Sequence, residues 1–394
     1  MNLRQKIELE IGEHGPIPFS RYMGMCLYDP EMGYYARNPE QFGKAGDFYT
    51  ASDVHAVFGR LLARQFEQMW RASGSPERME LLELGPGRGF LAQDLLDWSE
   101  KKFLPFFHAL HYTLAESSPA LRETLRSRLA ARIRSGKAGL AGANAQAGIP
   151  GDPSPLPPRT LPPETPLIVL ANEFFDALPV EVLSEKGALR VDTERGRFTE
   201  SWAPAAAEEL AFLDRHSVHP EPGDRSEASL VAQHVMAEIA ASVQRGFVIV
   251  IDYGYTRDEQ LAGRHLGTVM TYRRHLASPN PYEAPGEQDI TAHVNFSALA
   301  AAAEQNGMQP HRLLTQSQFL MGVGEANQFA DAFEGCRLPQ ERAKVALQLK
   351  HLVTPAGMGE IFHVLVASKG LDRETVEGLS GLRFGKSRDG VPAG

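Results

Sequence analysis

Three groups of side chains have the types and spacing to do chemistry. Glu83 stands just before a run of alternating glycines in Glu83-Leu84-Gly85-Pro86-Gly87-Arg88-Gly89-Phe90, and Glu116 opens Glu116-Ser117-Ser118-Pro119. Asn172, Glu173 and Asp176 share the stretch Asn172-Glu173-Phe174-Phe175-Asp176-Ala177-Leu178-Pro179. Gly85, Gly87 and Gly89 remove Cβ atoms where a backbone must turn sharply and approach a ligand. A glycine turn alone is a weak signal, because the same composition makes ordinary loops. The two acids give it direction: one directly before the glycines and one later in the chain are hydrogen-bond acceptors for a ligand that carries ammonium and hydroxyl groups.

The elements that must position these residues are legible around them. An apolar run at 79–82, the glycines, and apolar residues at helical spacing over 91–96 read as strand, tight turn and helix, the place where an open α/β sheet binds nucleotide-like ligands. Residues 111–115 read as a second strand that ends at Glu116, with Pro119 in the first turn of a helix reaching about residue 134. A carboxylate at the carboxyl end of a strand can accept both ribose hydroxyls of a nucleoside. It is also simply favourable at a helix N-terminus; the glycine turn one strand earlier favours the ribose role. The unbroken apolar run at 167–171 fits a strand buried on both faces, and it leads straight into an amide, two acids and two aromatics, where ligands of such sheets sit. This arrangement suits S-adenosylmethionine. An NAD-dependent oxidoreductase would place its acid about 20 residues past the glycines and none before them.

The 394 residues, 43% apolar and 23% charged, allow one large soluble domain with insertions or two domains. A net charge of −9 gives no general attraction to phosphate backbones, so nucleic acid is excluded as a first partner. Cys26 and Cys336 are far apart with no CxxC or His-rich partner stretch, which suggests neither a disulfide framework nor a metal site. No run approaches the length of a membrane span. Residues 1–10 carry Glu8 and Glu10 and lack an apolar signal core, which makes the cytoplasm the expected compartment.

Along the rest of the chain, residues 2–14 read as a helix stopped by Gly15-Pro16, and the Gly-, Pro- and aromatic-rich stretch 18–35 as a structured cap without clean periodicity. Asp47 and Thr50 lie in Gly46-Asp47-Phe48-Tyr49-Thr50, ahead of a helix over 54–71 capped by Ser52 or Asp53. Turn and cap chemistry is the ordinary account of these acids, and from spacing alone it outweighs a loop that closes over a ligand. Residues 135–165 form a Gly-, Ala- and Pro-rich insertion, and 181–202 a β excursion on the sheet's edge with turns at Gly187 and Gly196. A helix over 226–244 precedes another buried strand ending in Asp252-Tyr253-Gly254-Tyr255. Residues 256–296 read as mostly irregular; His275 and His293 there lack visible partners and are assigned structural or solvated roles. Ser297 caps a helix to about 306, and two final strands near 309–314 and 360–369 flank helices around 316–352.

The expected architecture is therefore α/β: a Rossmann-like sheet with helices on both faces, an N-terminal cap and an inserted β or irregular subdomain. Its expected division is a helical and aromatic cap over 1–75, a core over 76–370 with insertions at about 135–165 and 181–225 and a loop at 256–296, and a flexible tail over 371–394.

With these stretches placed, the sequence resembles the MidA family of class I S-adenosylmethionine-dependent methyltransferases over nearly its whole length. The resemblance rests on Gly46-Asp47-Phe48-Tyr49-Thr50, the Glu83 to Gly89 turn, Glu116-Ser117-Ser118-Pro119, the Asn172 to Pro179 stretch, Asp252-Tyr253-Gly254-Tyr255 and Pro285-Gly286-Glu287-Gln288-Asp289-Ile290-Thr291-Ala292-His293. The stretches beginning at Asn172 and at Thr291 are far more specific to the family than the glycine turn. There are two departures. The Gly/Ala/Pro insertion stands where relatives have a third strand, so that edge strand is expected short or absent. Asn295 also stands where Asp is expected.

The resemblance implies a transferase that uses S-adenosylmethionine. Asp47, Thr50, Glu83, Gly85, Gly87, Gly89, Glu116 and Asn172 would bind the cofactor, and Asn172, Glu173 and Asp176 would be catalytic. A mitochondrial member of the family methylates arginine in respiratory complex I assembly, which implies a protein acceptor, with a respiratory-complex subunit as the kind of partner. The competing reading is a cofactor-binding assembly factor that works mainly through protein contact.

Overall fold

The computed structural model describes residues 1–36, 56–141, 162, 164–260, 267–273 and 276–384. Its main sheet contains β1 (Met79–Leu84), β2 (Leu110–Ala115), β3 (Ala138–Leu140), β4 (Leu167–Asn172), β5 (Gly246–Tyr255), β6 (Gln309–Pro310) and β7 (Phe362–Lys369). The spatial order is β3-β2-β1-β4-β5-β7-β6. All pairs from β3 to β5 are parallel, while β7 runs antiparallel to both of its neighbours.

Side chains that alternate along each strand serve two separate cores. Leu81, Tyr112, Ile168, Leu170, Ile249 and Val366 face one side, packed against helices Ala56–Ala72, Phe90–Lys102 and Gln316–Glu325. Leu84, Val169, Ala171, Val250 and Leu365 face the other, under Leu230–Ser242 and Phe296–Gln305. Burial on both faces explains why β4 and the start of β5 are almost purely apolar. Among the described residues no helix is long and apolar enough to cross a membrane.

A third core joins distant parts of the chain. Leu3, Ile7, Tyr22, Met23 and Tyr34 pack with Val182, Leu189 and Val191 and with Ile290. The stretch expected to be an aperiodic cap forms a helix, Phe19–Tyr28, followed by a short 3-10 turn, Tyr34–Ala36. Eight of that helix's ten residues are buried, so no polar face exists to produce a helical period. The β excursion is not on the edge of the main sheet. Its strands Glu181–Ser184, Gly187–Glu194 and Arg197–Ala203 make an antiparallel sheet of their own with Ile17–Pro18 and Ser226–Ala228.

Other expectations change in detail. Helix Ala56–Ala72 packs into the main core rather than with the cap. The short edge strand is present, β3 pairing with Tyr112 to Leu114. Residues 256–296 are not simply irregular: Met270–Arg273, Leu276–Ser278 and Asp289–Thr291 form a small antiparallel sheet, with strands too short for an alternating pattern to show. Helix Phe296–Gln305 is capped by Asn295 rather than Ser297; its Oδ1 accepts from Ala298 N at 3.0 Å while its Nδ2 donates to the His216 carbonyl at 2.9 Å. An aspartate could not make that second bond. Finally, residues 371–384 are folded and not a flexible tail, since Val376, Leu379 and Leu382 are buried in the main core and Gly381 N donates to Gln65 Oε1 at 2.9 Å.

Candidate active site

The chain leaves β1 toward β2 on one side and enters β4 on the other, so the sheet order reverses between β1 and β4 and a crevice opens at their carboxyl ends. The glycine turn forms its floor. Gly85 N donates to the Ala115 carbonyl at 3.0 Å, and Gly89 N to the Pro86 carbonyl at 2.9 Å. Gly87, at φ +53°, would carry a Cβ into open space, whereas a Cβ on Gly89, at φ +75°, would lie 2.5 Å from Leu125 Cδ2. One glycine thus leaves room beside the turn, and the other lets the following helix pack closely.

Glu83 is buried at the end of β1, and the Tyr112 hydroxyl donates to its Oε2 at 2.9 Å. Burial pushes its carboxyl up to about 7, aided by the charge of Glu116 and opposed by the Tyr112 bond. Glu116, also buried, accepts from Ser118 N at 2.9 Å, and the backbone N–H groups of Gly87 and Ser117 point at the same carboxyl. Burial nevertheless pushes it up to about 7. The second acid and the glycine turn therefore form one unit.

The end of β4 is bent into the same crevice. Glu173 adopts φ +50°, a left-handed conformation uncommon for a residue with a side chain, and its N–H donates to the Ile251 carbonyl at 2.9 Å. Asp252 Oδ2 then accepts from the backbone N–H groups of Phe174, Phe175 and Asp176 at 3.2, 3.0 and 3.3 Å. Phe174 lies over the glycine turn, so close that a Cβ on Gly85 would be 3.1 Å from its Cδ2. Asn172 Nδ2 is 3.4 Å from Glu173 Oε1, while its buried Oδ1 has no partner among the described residues. Burial pushes the Asp176 carboxyl up to about 6, against the pull of a hydrogen bond from Tyr253.

Glu83, Gly85, Gly87, Gly89, Glu116, Asn172, Glu173 and Asp176 are thus gathered at the carboxyl ends of β1, β2 and β4. Asp47, Thr50 and His275 lie outside the described residues. His293, assigned a structural or solvated role, packs edge-on against Tyr253 with ring centroids 5.1 Å apart. Two residues of the site escaped functional assignment in the sequence. Asp252 was visible as an acid ending a buried strand, with nothing to tie it to residues 174–176. Asp289, buried and accepting from the Tyr35 hydroxyl at 3.0 Å, had no local signal beyond the family stretch that contains it.

The residues present fit a nucleoside carrying an amino acid. The orphaned Asn172 Oδ1 and the buried acids Glu83 and Glu116 are acceptors for ammonium and hydroxyl donors, and the space at Gly87 admits the ligand. Seven strands in this order with one of them reversed, within a sheet that two further short strands extend, together with a glycine turn after β1 and an acid after β2, define a class I methyltransferase.

The chain belongs to the MidA family of S-adenosyl-L-methionine-dependent methyltransferases, and a family model for enzymes with that cofactor matches residues 61–314. It is 30% identical to the Drosophila melanogaster mitochondrial protein arginine methyltransferase NDUFAF7 homolog, over 96% of this chain and 89% of that one. It is 28% identical to human protein arginine methyltransferase NDUFAF7, mitochondrial, over 90% and 80% of the two chains. A Burkholderia thailandensis protein crystallised with S-adenosyl-homocysteine superposes with a TM-score of 0.81 at 30% identity, covering 96% of this chain and 94% of that one. The enzyme is therefore a methyltransferase that uses S-adenosyl-L-methionine. The curated relatives are named as mitochondrial, which overturns the cytoplasmic assignment drawn from the composition of residues 1–10.

Proposed function

We propose that the enzyme methylates an arginine side chain of a protein partner. The observation that carries this reading is the placement of Glu173 and Asp176 beside Asn172 at the end of β4, one strand from the glycine turn and held there by Asp252. Carboxylates fix the plane of a guanidinium through paired hydrogen bonds, and the face of an aromatic ring such as the partly exposed Phe174 attracts its charge, while Phe175 is buried in the core beneath. The names of the curated relatives agree with this acceptor.

S-adenosyl-L-methionine supplies, when bound, a methyl group already activated by its sulfonium. The protein's task is then to align the acceptor nitrogen with that methyl and to exclude water. On this reading the amides after Gly85 receive the cofactor's carboxylate, Glu83 and the loop bearing Asp47 and Thr50 orient its amino group, and Glu116 holds the ribose. Glu173 and Asp176 hold the guanidinium so that the attacking nitrogen keeps a localised lone pair, and one of them takes the proton that this nitrogen sheds. A respiratory-complex subunit is the kind of partner that the family resemblance suggests.

The test is mass spectrometry of methylated proteins from a deletion strain against the parent. Loss of methyl-arginine from one or a few proteins, restored by the gene, is the expected result; an unchanged methyl-arginine profile with loss at another residue type excludes the reading.

A further inference from the structure

Glu83 lies among apolar neighbours in the sheet. Across the strands it is paired with Leu114 of β2 and Leu170 of β4, both fully buried, and Leu81, two residues earlier, is paired with Tyr112 and Ile168. Alternation along the strands puts Leu81, Glu83, Tyr112 and Leu114 on one face. Leu81, Leu114, Ile168 and Leu170 have no side-chain donor to offer. A carboxylate only 3% exposed therefore depends on Tyr112, whose hydroxyl donates to Oε2 at 2.9 Å. No described residue donates to Oε1.

Tyr112 is itself completely buried, in the core that holds Leu81, Leu114 and Leu170. A phenylalanine would fill the same space without a polar atom to satisfy. A hydroxyl is stable at such a position only against an acceptor, and Glu83 is the acceptor it has among the described residues.

The bond has two consequences for the carboxylate. It occupies Oε2 and leaves Oε1 for a ligand at the carboxyl end of β1. It also favours the ionised form against burial and the charge of Glu116, the two influences that push this carboxyl up. The ionised form accepts on both oxygens, which is what an ammonium group requires.

We infer that Tyr112 is a positioning residue for cofactor binding, whose hydroxyl holds Glu83 Oε2 so that the other oxygen meets the cofactor's ammonium group. This rests on the placement of that group at Glu83 under the proposed function and deepens it: a residue of the core sets the geometry and the charge of a cofactor contact.

The test compares calorimetric affinities of the full-length enzyme for S-adenosyl-homocysteine, which carries the ammonium, and for 5′-methylthioadenosine, which has the same nucleoside but no amino-acid end. Y112F should weaken S-adenosyl-homocysteine about tenfold at neutral pH, the change expected for losing one hydrogen bond to a charged group, and leave methylthioadenosine within about twofold of the wild type. The rise of S-adenosyl-homocysteine affinity with pH should also move to higher pH in Y112F, because the donor that favours the ionised carboxyl is gone. A residue that only filled the core would move neither the ratio of the two affinities nor the pH profile. Replacing Tyr112 with 3-fluorotyrosine keeps the ring and the bond and strengthens the donor, so the rise should move to lower pH; this keeps the inference testable if Y112F does not fold.

Unchanged S-adenosyl-homocysteine affinity in folded Y112F overturns the inference, as does an equal loss for both ligands or a fluorotyrosine profile that does not shift. E83Q separates the inference from the reading beneath it. If E83Q weakens S-adenosyl-homocysteine selectively while Y112F does not, the inference alone fails. If E83Q binds both ligands as the wild type does, the placement of the amino group at Glu83 fails and the inference with it.

Discussion

Asp252 Oδ2 accepts the backbone N–H of Phe175 at 3.0 Å, and the same oxygen takes the N–H groups on either side of it while Oδ1 takes that of Tyr253 at 2.9 Å. One carboxylate at the end of β5 thus determines how the chain leaves β4, including the left-handed Glu173. Burial and the charges of Asp176 and Glu173 push the Asp252 carboxyl well up, so the anchor is retained at an electrostatic cost.

D252N presents an amide where both oxygens now accept, so at least one backbone N–H must lose its partner. Misplacement of a reacting group by about 1 Å costs on the order of 100-fold in rate. D252N should therefore lower the rate of methyl transfer by about that factor. Affinity for S-adenosyl-homocysteine, measured by calorimetry, should change much less, because Asp252 touches the loop after β4 and not the glycine turn. Equal losses in both measurements would show that the loop is not positioned separately from the cofactor site.

Gly87 and Gly89 should respond differently to substitution. Valine at Gly87 meets nothing within 4 Å of its Cβ but must adopt φ +53°. That strain costs about 1–2 kcal/mol, lowering the melting temperature by a few degrees, while the side chain enters the ligand's path and weakens S-adenosyl-homocysteine binding about tenfold or more. Alanine at Gly89 collides with the buried Leu125, and overpacking of this kind costs about 1–3 kcal/mol in addition to strain. Thermal melting and calorimetry on the two variants separate a blocked site from a damaged fold. Unchanged cofactor affinity in G87V would remove the turn from the site.

The parts of this architecture legible in the sequence are those governed by local chemistry. The turn at Gly85 to Gly89 and the doubly buried β4 carry their signals within a few residues. The cap does not, because its core joins Tyr22 to Val191 and Ile290, and contacts at such separations leave no local pattern. The same reason hides Asp289. Its neighbours in the chain say nothing of Tyr35, which comes from a segment 254 residues earlier in the sequence. Asn295 illustrates an opposite case: the residue is conspicuous, yet its work is to cap a helix and tie it to His216.

Burial pushes both Glu83 and Glu116 up to about 7, so the proposed cofactor contacts of these two acids predict an affinity that depends on pH. A carboxyl raised in the folded state stabilises the fold below the usual carboxylate range, and that contribution is lost as pH rises through about 7. Binding works in the opposite sense, because a cationic cofactor favours the ionised forms. Affinity for S-adenosyl-L-methionine should therefore rise between pH 6 and pH 8 with release of protons, which calorimetry in buffers of different ionisation enthalpy detects. E116Q should bind more weakly and show a shallower pH dependence; a profile as steep as that of the wild type would exclude Glu116 from the linkage.

E173Q tests the proposed division of labour within the site. The left-handed backbone at Glu173 does not depend on the charge, and the Ile251 carbonyl still receives its N–H, so the fold should persist. Asn172 Nδ2 loses its neighbouring carboxylate at 3.4 Å but keeps an amide oxygen in its place. Affinity for S-adenosyl-homocysteine should therefore stay within about twofold of the wild type, a change of under 1 kcal/mol. Methyl transfer should fall by about 100-fold or more, the usual contribution of a positioned proton acceptor. Tritium transfer to the partner identified by mass spectrometry measures this directly. Full activity in E173Q would leave Asp176 as the proton acceptor and confine Glu173 to shaping the end of β4.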